Sequence, residues 1–108
     1  MQQARPMTLA AAIDDLRRRG FTESFMAVKG GLRALESGKT FGRDELVIRE
    51  YHRFEGVSDP DDMSILYAIE GRDGTRGTLA DAFGVYADPV VGAALQGVPV
   101  RATARAGA

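Results

Sequence analysis

The chain has no cysteine and a single histidine, His52. The first absence excludes a disulfide framework, thiolate metal sites and a cysteine nucleophile. The second excludes a paired-imidazole metal site and leaves little material for a Ser-His-Asp relay. No apolar run approaches the ~18 residues of a membrane span, and residues 1–7 lack the apolar stretch of a secretory signal. The expectation is a soluble, cytoplasmic protein with no membrane partner. Lysine is also scarce, with two beside twelve arginines and sixteen alanines; that bias is compositional and carries no functional signal.

What is present fits one ordinary globular domain. The 108 residues are 44 % hydrophobic and 27 % charged, enough for one thin core and not for two. The net charge of -1 hides an uneven distribution. Residues 1–43 carry eight basic and four acidic side chains, whereas residues 44–90 carry four and eleven. Halves of opposite sign can attract each other, within one chain or between copies. A surface that tracks phosphates needs a cationic excess, so nucleic acid is not an expected partner.

Residues 8–19 read as a helix. Leu9, Ala12, Ile13 and Leu16 make one apolar stripe, Thr8 caps the start, and Arg17, Arg18 and Arg19 suit the negative end of the dipole before Gly20 stops the helix. Residues 25–28 suit an edge strand, and the Gly30-Gly31 pair interrupts it. Residues 32–41 suggest a helical turn and a loop, and no phosphate-binding glycine motif is present. Residues 46–55 read as a strand with Arg49, Tyr51, Arg53 and Glu55 on one face and Ile48, Glu50, His52 and Phe54 on the other. Residues 64–70 and 78–83 form a hairpin about Asp73-Gly74, taken as a two-residue turn. That turn pairs Ala68 with Leu79, Tyr67 with Ala80, and Leu66 with Asp81. Both hairpin faces are then largely apolar and need cover. Asp88 and Pro89 begin a short helix with Val90, Val91, Ala94 and Leu95 as its stripe. The expected fold is α+β: an N-terminal helix, an antiparallel β-meander of three to four strands over residues 44–84, and a short C-terminal helix. The domain is expected to cover residues 1–97, with residues 98–108 expected as a flexible tail.

Two candidate sites follow. Asp59, Asp61 and Asp62 offer carboxylate oxygens to a hard divalent cation, although a turn uses the same residues and the calcium-loop spacing is absent. Arg53, Glu55, Tyr67 and Asp81 could line a ligand pocket; the favoured reading of Asp81 is an ion-paired structural carboxylate, with Arg53 or Arg49 opposite. His52 beside Glu50 and Glu55 is either a general base or a half-buried, satisfied histidine. Residues 51–56 (YHRFEG), 58–62 (SDPDD), 66–69 (LYAI) and 81–88 (DAFGVYAD), with the RGFTE at 19–23, resemble a family of small bacterial proteins of about a hundred residues. Its members are often labelled phosphoribosylpyrophosphate synthetase. The resemblance implies a shared shape and transfers no catalytic residues. That enzyme has a Thr-Gly-Gly-Thr cradle after paired acidic residues, whereas Asp61-Asp62 runs into Met63-Ser64-Ile65. The label therefore does not describe this chain's chemistry. The expected function is a non-enzymatic module that self-associates as a homodimer and binds a partner or small ligand, with no cofactor. The alternative is a small enzyme, or a metal or phosphate-ligand binder, built on the two candidate sites.

Overall fold

The computed structural model describes residues 8–54, 64–82 and 87–101. In chain order these form helix α1 (Leu9–Arg18), strands β1 (Glu23–Val28), β2 (Gly31–Ala34) and β3 (Thr40–Gly42), and a single 3₁₀ turn (Arg43–Glu45). Strands β4 (Leu46–Phe54), β5 (Ser64–Gly71) and β6 (Arg76–Ala82) and helix α2 (Pro89–Leu95) follow. The class is α+β, as the patterning implies. The sheet, however, is six-stranded and mixed, in the order β3-β2-β1-β6-β5-β4. Residues 25–28 belong to an interior strand, not an edge: β1 pairs antiparallel with β2 and parallel with β6. Residues 32–41, expected as a helical turn and loop, contribute β2 and β3 instead. Lys29 and Gly30 make the tight turn between β1 and β2, with Gly30 at φ +81°.

The sheet cannot lie flat. Its two edges, β3 and β4, are consecutive in the chain and joined by three residues. Six flat strands would hold those edges about 24 Å apart, whereas Gly42 to Leu46 can reach about 14 Å. The sheet therefore curls, and its inner face becomes the main core. Phe25, Leu32, Phe41, Ile69 and Leu79 pack there with Val91 and Ala94 of α2. Close approach at this curl requires glycine. A Cβ on Gly71 would stand 2.6 Å from the Phe41 ring, and one on Gly31 would strike the Phe41 carbonyl.

The outer face is covered over β5 and β6 by α1. Thr8 caps that helix by accepting from the Ala11 amide at 3.0 Å. At its end Gly20 takes φ +103° and the Phe21 amide returns to the Leu16 carbonyl. Ala12, Leu16 and Phe21 then pack on Leu66 and Ala68. Both faces are thus sheltered from within the chain. The second cover is α2, capped by Asp88 as its composition implies. Val90 departs from the expected stripe and is exposed.

Residues 98–101, expected as the start of a tail, lie against β4. Val98 is buried, the Ile48 amide donates to the Pro99 carbonyl, and the Arg101 amide donates to the Ile48 carbonyl. Among the described residues, no helix is long and apolar enough to cross a membrane.

Candidate functional site

Two local irregularities decide which side chains meet. The first is a β-bulge in β4: Ile48 faces Ile69, yet Glu50 faces Ala68, so Arg49 is the extra residue. A bulge inverts the alternation beyond it. Ile48 therefore shares the inner face with Tyr51 and Arg53, not with His52 and Phe54 as strict alternation implies. The second irregularity is the β5–β6 loop. Gly71 donates to the Thr75 carbonyl and Gly74 donates to the Gly71 carbonyl, which makes a three-residue loop with Gly74 at φ +91°. The pairing expected from a two-residue turn is displaced by one residue. Ala68 faces Thr78, Tyr67 faces Leu79, and Ile65 faces Asp81.

The displacement assembles the candidate site. Opposed residues in an antiparallel pair share a face, so Arg53, Ile65 and Asp81 form one row across the sheet and Tyr51, Tyr67 and Leu79 the next. Three of the expected ligand residues, Arg53, Tyr67 and Asp81, thus lie on one face. The two-residue register would have put Asp81 on the opposite face from Tyr67. Glu55, Asp59, Asp61 and Asp62 lie outside the described residues. Among the described residues, no group of three or more His, Asp or Glu side chains could hold a metal ion.

A cavity of about 270 Å³ opens here. Ile48 and Ile65, both nearly buried, are its apolar backing, and the tyrosines and Arg53 line it from the strands. Leu95 at the end of α2 and Val100 complete it. The Tyr51 and Tyr67 ring centroids lie 6.4 Å apart with the planes tilted by 50°. Tyr51 is 48 % exposed. The Tyr67 hydroxyl titrates above its usual range, chiefly because it is desolvated and also because Asp81 is near; Arg53 opposes the effect. Tyr67 therefore stays protonated at neutral pH, with a hydroxyl able to donate a hydrogen bond.

Asp81 has a structural role. Its Oδ1 accepts from its own neighbour Ala82 at 2.8 Å and from the Asp88 amide at 3.2 Å. It thereby ties the end of β6 to the cap of α2. Arg49, one expected partner of Asp81, instead bonds Glu70 at 2.9 Å and the Arg101 carbonyl at 3.1 Å.

The opposite face holds the other titratable cluster. Arg19 Nη1 lies 2.7 Å from Glu50 Oε2 and 3.3 Å from Asp15 Oδ2. The carboxylate raises the Arg19 pKa. Glu50 Oε2 nevertheless has no well-aligned donor, so charge attraction, which tolerates poor angles, is what fastens α1 to β4. His52 is exposed, not half-buried, and its Nε2 stands 3.7 Å from Glu50, beyond hydrogen-bond reach. It faces away from Tyr67 and cannot serve as a base for anything in the cavity.

Tyr51, Ile48, Leu95 and Val100 line the cavity but were not among the expected site residues. The tyrosines at 51 and 67 were the available signal; a bulge leaves no mark in alternation. No family model, curated protein or solved structure matches the chain.

Proposed function

We propose that the protein is a non-enzymatic, self-associating cytoplasmic module that binds a small, partly apolar ligand or a partner's side chain over Tyr51 and Tyr67. One observation carries this reading: the inner sheet face is covered by α2 over part of its length and opens beside Leu95 into an aromatic and aliphatic cavity. Ligand sites combine such apolar walls with a few polar groups that fix orientation. Here the polar groups are the Tyr67 hydroxyl and the Arg53 guanidinium. The space exceeds the ~150 Å³ that suffices for a benzene ring. Catalysis has less support, because the Asp81 carboxylate near Tyr67 is engaged by the Ala82 and Asp88 amides and the imidazole lies on the other face. Self-association draws on the opposed charges of the two chain halves. On the residues quoted above we also propose kinship with the small bacterial family.

A thermal-shift titration with phenylacetate and benzyl alcohol tests the ligand reading. Both should raise the Tm of the wild type, phenylacetate more because its carboxylate suits Arg53. Leu95→Trp, which fills the cavity, should abolish both shifts. No shift with either probe, or unchanged shifts in Leu95→Trp, would contradict it.

A further inference from the structure

Strand β4 is nine residues long and ends the strand order, so among the described residues no strand lies on its outer side. A long edge strand invites pairing unless something covers it. This chain already shows that the edge accepts a strand: Pro99 and Arg101 bond to Ile48 from outside, and Val100 bridges Ile48 in parallel. Among the described residues that seat ends at Ile48, and the bulge at Arg49 follows it. Beyond them lies the regular stretch formed by residues 50–54.

We infer that residues 50–54 pair antiparallel with the same stretch of a second copy, about a two-fold axis through His52. The inference rests on the self-associating reading above and names its surface. A two-fold contact sets one patch against itself. Opposed residues must share a face, so such a pairing centres on a residue and not between two. The midpoint of 50–54 is His52. In that register Tyr51 faces Arg53 of the second copy, twice, which sets a guanidinium against an exposed ring. On the other face His52 meets His52 of the second copy, with a Glu50 from each copy on the diagonals; each histidine already has its own Glu50 at 3.7 Å. A centre on Tyr51 would set Arg49 against Arg53, and it would press Phe54 onto the seat that Pro99 and Arg101 occupy. Charge and space both select His52. The two Tyr51–Tyr67 cavities then adjoin, and Arg53 of each copy reaches the rim of the other.

The absence of cysteine makes the register directly testable. Self-paired residues in an antiparallel ladder have Cα atoms about 4.5 to 5.5 Å apart, within the range a disulfide spans. In a glutathione redox buffer, His52→Cys should form a disulfide-linked dimer at least tenfold faster than Lys29→Cys at the exposed β1–β2 turn. Glu50→Cys mixed with Phe54→Cys should give mainly the mixed dimer, since the two Glu50 positions are more than about 13 Å apart in this register. Sedimentation of the wild type should show a reversible dimer. A dimer in which His52→Cys oxidises no faster than Lys29→Cys overturns this edge pairing while leaving self-association intact. A strict monomer at high concentration overturns both, and leaves the phenylacetate result to judge the cavity separately.

Discussion

The inner face of the curled sheet has two ends that are built alike and finished differently. At one end the Phe41 ring lies over Gly71, Phe25 meets Phe41 edge-on at 6.1 Å, and Leu32 is completely buried. At the other, two tyrosines with a similar ring separation stand beside an open cavity. Strands β4 and β5 run from one end to the other, so the difference comes from what covers each. At the first end the curl, which the three-residue link between β3 and β4 enforces, buries Phe41 and Leu32. The second depends on α2, which has only seven residues and stops at Leu95. An aromatic pair in a closed layer is packing; the same pair where the layer stays open is the surface we propose for binding.

The sharpest test of that contrast is a matched truncation. Phe41→Ala should cost about 4 kcal/mol of unfolding free energy in urea, as buried phenylalanines do, while Tyr51→Ala should cost less than about 1 kcal/mol. Equal losses would erase the distinction. Next in size, Gly71→Val drives a side chain into the Phe41 ring and should destabilise by about 2 to 3 kcal/mol. Much of that loss should be recovered by also making Phe41→Leu. Additive losses in the double variant would show that the ring and the glycine do not form the seal. Asp88→Ala removes the cap of α2 and should cost about 1 kcal/mol, with amide exchange accelerated in α2 and not in β2.

The smallest effect concerns the closed end's turn. Asp73 is held down to about 2 by the Thr75 amide and hydroxyl first, and by Lys39 after them. A carboxyl depressed in the folded state contributes stability above its usual range and loses it as pH falls through about 2. The Thr75 amide resonance should therefore titrate near pH 2, while stability above about pH 5 stays unaffected by this group. A midpoint in the ordinary carboxylate range would show that the Thr75 amide and hydroxyl do not hold the Asp73 carboxylate.

Much of the fold was legible because its signals are local. The stripe Leu9, Ala12, Ile13, Leu16, the cap Thr8 and the stop Gly20 specify α1 without reference to anything distant, and Asp88-Pro89 does the same for α2. The β1–β3 half was not legible. Gly31-Leu32-Arg33-Ala34 is four residues long with no clear alternation, and it is a strand because its neighbours pair with it. The β4 faces and the β5–β6 register failed for one shared reason. Alternation fixes which residues share a face only while no residue is inserted, and Arg49 and the third loop residue each insert one. Asp-Gly suits a two-residue turn and a three-residue loop equally, because both place glycine in the left-handed region. Of the expected ligand residues, Arg53 and Tyr67 line the cavity, whereas Asp81 shares their face but bonds the Ala82 and Asp88 amides. That shared face was not legible, because the one-residue displacement is what puts Asp81 on the same side as the other two.

The open end of the inner face is best tested by a ¹H–¹⁵N titration of the wild type with phenylacetate. The account predicts saturable shifts at the amides of Tyr51, Ile65, Tyr67 and Val100, with Phe41, Leu32 and Gly71 unmoved. Shifts centred on Phe41 and Gly71, or none at Tyr51 and Tyr67, would contradict it.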